Sequence, residues 1–152
     1  MLLSIALHVL AAVIWIGGMF FAHMALRPSA VLILEPPLRL KLWIQVFKRF
    51  FFWVWISITA IMASGYWMVF GFYDGFSHVG THIHIMHGMS IIMVLIYMFV
   101  FFSPYRRLKQ AVIVEDYPEG GKALAQIRKL VTINLSLGLL VVIVASSGRF
   151  IS

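Results

Sequence analysis

The stretch THIHIMHGMSIIMVLIYMFVFF, residues 81–102, decides the fold, because it runs without a single Asp, Glu, Lys or Arg. A helix that crosses a bilayer needs about 20 predominantly apolar residues, and this stretch supplies them. The whole chain of 152 residues is 62% hydrophobic and only 11% charged, which leaves too little polar surface for a water-soluble domain. The composition therefore predicts an integral membrane protein.

Three further apolar runs share this character, so the spans are expected at about residues 2–26, 51–72, 82–102 and 131–150. Backbone groups inside lipid must pair within their own segment, and the runs are therefore expected to be helices. The sequence predicts an all-α fold, a membrane-embedded four-helix bundle that forms a single domain over residues 1–152. Its first partner is the lipid bilayer.

The basic residues are concentrated in two loops, the one between spans one and two and the one between spans three and four. The loop from Tyr73 to Thr81 has no Lys or Arg and carries Asp74. Because Lys and Arg favour the cytoplasmic side, both termini are expected to be external, in a multi-pass protein of a bacterial inner (cytoplasmic) membrane. The net charge of +7 is explained by this topology, and no nucleic-acid partner is predicted.

The first basic loop has an amphipathic pattern after Pro36 and Pro37. Its apolar residues recur at i, i+3, i+4 and i+7, and they are Trp43, Val46, Phe47 and Phe50. This spacing predicts an interfacial amphipathic helix that precedes the second span.

Span three has two chemically different faces at about 100° per residue. One face carries a histidine and a methionine stripe, namely His82, Met86, Met89 and Met93. His84 and His87 lie nearly opposite. A single centre that uses every one of these side chains is therefore not expected, and the sequence does not show which face points into the bundle.

His8 in span one and His87 in span three are expected at similar depths near the external side. Ionisable residues inside a membrane are functional candidates by default. Two imidazoles from facing helices can be the axial ligands of haem b, with Trp15 beside the macrocycle and Arg149 paired to a propionate. This reading predicts electron transfer or redox handling, while hydrogen bonding within the bundle is the structural alternative for the two histidines.

Copper is the competing cofactor, because thioether sulfur selects Cu(I) and imidazole suits either oxidation state. The residues that would hold it are His82, His84, Met86, Met89 and Met93. A third reading is a cofactor-free accessory subunit of a larger membrane complex, since surfaces that face lipid and surfaces that face a partner look alike in sequence. A redox partner and a homo-oligomer both remain open.

Hydrolytic chemistry is not supported, because the chain has no cysteine and all its acids fall in loops. No catalytic residue can be named, and an oxidoreductase activity stays an open question.

The first helix, HVLAAVIWIGGMFF from His8 to Phe21, resembles that of the CopD-like membrane family, and so do the blocks SGYWM, SPYRRLKQAV and QIRKLVTINLSLGLLVVIVASSGRF. The first helix is also similar, more distantly, to that of HemJ-type protoporphyrinogen oxidases. The resemblance implies copper uptake or tolerance in the first case, and haem b with porphyrinogen oxidation in the second. His8 matches the first-helix histidine of both families, whereas the third-helix lysine of HemJ-type proteins has no counterpart in residues 82–102.

Overall fold

The computed structural model describes residues 1–150, apart from the side chain of Arg149, and its long segments are all helical. The helices are α1 (Leu2–Phe21), α2 (Arg27–Ile33), α3 (Pro36–Phe72), α4 (Thr81–Phe102), α5 (Pro104–Ile113) and α6 (Tyr117–Ser147). A π-helical turn, Ala22–Leu26, joins α1 to α2. Short 3₁₀ turns cover Phe76–His78 and Gly148–Phe150.

Four helical units are long and apolar enough to cross a membrane: Leu2–Ile33, Pro36–Phe72, Thr81–Ile113 and Tyr117–Ser147. The predicted all-α architecture with four spans is therefore confirmed. Prolines begin several of these helices, because the first turn has no intrahelical partner for its N–H groups and loses nothing when one is missing.

The amphipathic segment before span two is helical as predicted, but the structure revises one detail. It is continuous with the span, so that α3 runs unbroken for 37 residues. At about 1.5 Å per residue this helix is ~55 Å long, well beyond the ~30 Å of bilayer hydrocarbon. Its apolar residues Leu40, Trp43 and Phe47 are buried in the bundle. The segment therefore extends the bundle in place of forming a separate helix beside it.

Two helix pairs build the bundle, α1 packed along α3 and α4 packed along α6. Gly138 of α6 joins the pairs, because its missing side chain admits Ile16 of α1 and Met93 of α4. The backbones of α3 and α4 stay apart over most of their length, and side chains bridge the gap between them.

A group of rings fills that gap at mid-height, and we call it the aromatic cluster: Trp15, Phe47, Phe51, Trp55, Tyr97, Phe101 and Tyr105. Phe51 stacks on Phe47 at 5.1 Å between centroids and meets Tyr97 edge-on at 5.4 Å. The Tyr97 hydroxyl donates a hydrogen bond to the Phe51 carbonyl oxygen over 3.1 Å. Such ring pairs contribute about 0.5–1.5 kcal/mol each beyond their buried area, so the cluster closes the bundle tightly at this level.

Gly18 allows α1 to approach α3 closely. A Cβ atom built on Gly18 would overlap the ring of Phe50, whereas one built on Gly17 meets nothing within 4 Å. Small residues at a helix interface let backbones approach each other, and adjacent glycines here differ only in the face that they occupy.

We expect Gly18→Val to lower the free energy of unfolding by about 1–3 kcal/mol, because the Phe50 ring must move out of a packed interface. Gly17→Val is the matched control and is expected to change it little. Denaturant titration of each purified variant in detergent micelles measures the difference. Equal destabilisation by the two substitutions would show that the close contact has no energetic importance.

A cavity lined by histidine and methionine as candidate functional site

A cavity of about 270 Å³ lies between the four spans at one end of the bundle. We call this the histidine end; it holds the chain start, the 73–80 loop and the first turns of α4. The cavity is lined by three histidines and four methionines: His8, His82, His87, Met1, Met62, Met68 and Met86. Among the residues that the structure describes, none contributes a carboxylate to this lining.

The cavity exists because the helices carry small residues at the histidine end. At the level of the aromatic cluster, large side chains fill the same space between the helices. Gly65 of α3, Ser90 of α4 and Ala145 of α6 face it. Below it a narrow void of about 30 Å³ continues past His8, Ser90 and Met93 as far as Trp15. The buried rings of the aromatic cluster follow, so the cavity narrows toward the middle of the bundle.

One tautomer of His8 is favoured by Ser64 on the neighbouring helix. The Ser64 hydroxyl donates its proton to the Ala60 carbonyl oxygen at 2.5 Å, so it has only lone pairs left for His8 Nδ1 at 2.9 Å. This geometry favours the tautomer in which His8 Nδ1 carries the hydrogen and donates it to Ser64. The other ring nitrogen, Nε2, then bears a lone pair, which is the arrangement that prepares a histidine to ligate a metal.

His82 has a buried nitrogen that no partner satisfies. Its Nδ1 is buried without a hydrogen-bond partner among the described residues. The ring packs on Gly148, where a Cβ atom would approach His82 Cγ to 2.5 Å. An unsatisfied buried polar group costs about 1–3 kcal/mol. Glycine at position 148 thus makes room for the His82 imidazole.

His87 lines the same cavity from the flank of α4. Its ring contacts Tyr66 at 5.5 Å and Phe76 at 4.9 Å between centroids. His8 and His87 therefore do reach one cavity, as their similar depths predict. The surroundings of the two rings differ, however, since His8 is hydrogen-bonded to Ser64 and His87 packs among aromatic side chains.

The side of α4 that faces the cavity combines His87 with part of the stripe headed by His82. His82 and Met86 line the cavity, and Met93 is buried in the void below it. The other two residues of the predicted copper set are not brought to the cavity: Met89 lies outside its lining, and His84 is exposed beside Phe76 at 5.9 Å.

Three methionines were missed by the sequence analysis, Met1 before α1 and Met62 and Met68 on α3. A signal for Met62 was present, because Met62, Gly65 and Val69 recur at i, i+3 and i+7 and share one face. Trp15, predicted beside a cofactor, is buried at the inner end of the narrow void and meets Tyr97 edge-on. The side chain of Arg149 lies outside the described residues.

Within residues 1–150 no group of three His, Cys, Asp or Glu side chains is close enough to hold a metal ion. The cavity lining also carries sulfur donors, the thioethers of four methionines. Thioether sulfur is a soft ligand, and it favours soft metal ions over Mg²⁺, Ca²⁺ or Mn²⁺.

Comparison with protein families gives one match, to the family described as Copper resistance protein D (CopD), over residues 44–147. The chain belongs to the CopD family. Comparisons with curated proteins and with solved structures find no match. The CopD match begins inside α3 and runs to the end of α6, so it includes His82, Met86 and His87 but not His8. Family membership links the chain to copper resistance, while the role of each residue has to be argued from the cavity.

We expect Ser64→Ala to release the favoured tautomer of His8, since the acceptor of the Nδ1 hydrogen is removed. The ¹⁵N chemical shifts of a histidine-labelled sample should show Nδ1–H in the wild type and a mixture of tautomers in the variant. Ser57→Ala, which alters another buried serine of α3, is the control and should leave the His8 signals unchanged. An unchanged His8 spectrum in Ser64→Ala would contradict the assignment.

Proposed function

We propose that this CopD-family protein binds Cu(I) in the cavity at the histidine end and acts in copper uptake or tolerance at the membrane. The observation that carries the proposal is the composition of the cavity lining, in which imidazoles and thioethers from α1, α3 and α4 face one space. Imidazole with thioether is a donor set that selects copper, and sulfur favours the Cu(I) state.

The nitrogen and sulfur donors of the lining side chains are imidazole and thioether groups. Hard divalent cations need carboxylate or other oxygen ligands, and none of the lining residues is Asp or Glu. A monovalent soft cation needs less charge compensation in an apolar environment, so the lining discriminates in favour of Cu(I). Within this set His8 offers its Nε2 lone pair, and His82 offers a buried nitrogen that has no hydrogen-bond partner among the described residues.

The shape of the cavity supports capture of the copper ion at one face of the membrane, in place of free passage of the ion through the bundle. The void narrows past Met93, and the aromatic cluster then separates it from the opposite end of the bundle. Met93, which is buried in the void below the cavity, provides a further sulfur deeper along this path. Passage of an ion beyond that point would require the rings around Tyr97 to separate.

The cavity gives no support for haem b, the first reading of His8 and His87. Pockets for drug-sized ligands span roughly 300–1,000 Å³, and the 270 Å³ available here is smaller than that range although haem is at the large end of such ligands. His8 also lies against α3, where a Cβ atom built on Gly65 would lie 3.4 Å from His8 Cε1. We therefore derive no redox step through haem.

Cu(I) retention by the purified protein in detergent, measured by competition with a colorimetric Cu(I) chelator, tests the proposal. We expect His8→Ala, His82→Ala and Met86→Leu each to weaken retention by about tenfold or more, the order of loss seen when a metal site is disturbed. The matched controls are His84→Ala and Met89→Leu on the same helix, and His23→Ala at the opposite end of the chain's first span.

The sharpest comparison is between the Cu(I) retention of two double variants, His82→Ala/Met86→Leu and His84→Ala/Met89→Leu. Both remove one imidazole and one thioether from α4. The first pair should abolish retention, and the second should preserve it. Equal retention by the two double variants would exclude the cavity as the copper site.

A further inference from the structure

A second groove lies at the opposite end of the bundle, which we call the basic end. It contains a void of about 90 Å³. Three arginines from three different helices line it, Arg27 of α2, Arg39 of α3 and Arg128 of α6. Its remaining lining is apolar apart from His23, and consists of Ala22, Val31, Trp43, Phe47, Leu124, Ile127 and Val131.

The three guanidinium groups have no acidic partner in the groove. No Asp or Glu lines it, and Arg27 is close enough to Arg128 for their positive charges to repel. The ion pairs found within residues 1–150 join Glu119 to Arg107 and Lys122, outside the groove. An anion bound between these positive charges would be stabilised by charge-assisted hydrogen bonds.

Arg39 is held in position while part of its hydrogen-bonding capacity stays unused. Its Nη2 donates to the Leu34 carbonyl oxygen at 3.1 Å, which ties the side chain to the loop before α3. Its Nε is buried and has no hydrogen-bond partner among the described residues. The fixed guanidinium is therefore preorganised to receive an acceptor, and a phosphate oxygen matches its planar fork.

The floor of the groove identifies the kind of anion. Trp43 and Phe47 are buried side chains of α3, and the exposed side chain of Val31 forms part of the rim. A small water-soluble anion would satisfy the arginines but leave this apolar surface uncovered. A lipid with an anionic headgroup satisfies both, and the positive-inside rule places this end of the bundle beside the leaflet that is rich in such lipids.

We propose that the groove at the basic end binds one anionic phospholipid, with its phosphate on Arg27, Arg39 and Arg128 and an acyl chain along Val31, Trp43 and Phe47. The π-helical turn Ala22–Leu26 contributes to the site, because two of its residues, Ala22 and His23, face the groove immediately before Arg27. The site is separate from the copper cavity and does not depend on it.

The test is native mass spectrometry of the full-length protein, purified in a neutral detergent and titrated with phosphatidylglycerol or with phosphatidylcholine. We expect one phosphatidylglycerol to be retained and phosphatidylcholine to be lost. Near a membrane surface each basic residue contributes about 1 kcal/mol, so each of Arg27→Gln, Arg39→Gln and Arg128→Gln should weaken retention about fivefold, and the triple variant on the order of 100-fold.

A triple variant of basic residues outside the groove is the matched control: Lys48→Gln, Arg49→Gln and Arg106→Gln. It removes the same charge and should preserve retention. Equal loss of phosphatidylglycerol retention in the two triple variants would show that only the overall positive charge of the surface matters. That result would overturn the proposal.

Two further arms keep the test decisive. Val31→Trp leaves all three arginines in place but fills the groove from an exposed position, and it should also lower phosphatidylglycerol retention. Inorganic phosphate at the same concentration should neither be retained nor displace the lipid. Wild-type retention by Val31→Trp, or full displacement by phosphate, would show that no acyl chain occupies the groove.

Discussion

The contact between Tyr97 and Phe51 is the constraint on which the rest of this structure depends. The backbones of α3 and α4 stay apart, and the aromatic cluster bridges them at mid-height through stacked and edge-on rings. The Tyr97 hydroxyl donates a hydrogen bond to the Phe51 carbonyl oxygen. The ring can therefore be buried in the bundle without leaving its hydroxyl unpaired. Toward the histidine end the bridging side chains are replaced by Gly65 and Ser90, and the same separation becomes a cavity.

This arrangement divides the polar chemistry of the chain between its two ends. The histidine end offers imidazole nitrogen and thioether sulfur, as at His8 and Met86, and the basic end offers arginines that lack acidic partners in their groove. The aromatic cluster lies between them. A soft cation and a lipid anion can therefore be bound by one small bundle without direct contact between the two sites.

Much of the fold could be predicted from sequence, because apolar runs of sufficient length predict membrane-spanning helices and the basic residues between them mark the loops. The continuous length of α3 could not, since the packing of Leu40 and Trp43 against the bundle decides where that helix stops. For the site, His8 and His87 line one cavity, while their predicted role as metal ligands stays a prediction. The contributions of Met62 and the orientation of His8 by Ser64 depend on tertiary contacts between helices, which a single sequence does not contain.

The most direct measurement is X-ray absorption at the copper edge of the purified protein loaded with Cu(I). A site built in this cavity predicts a first shell with both imidazole nitrogen and thioether sulfur, and the sulfur contribution should fall when Met86 is replaced by leucine. A shell of nitrogen and oxygen alone, or one that is identical after replacement of His82 and Met86, would contradict the assignment of copper to the histidine end.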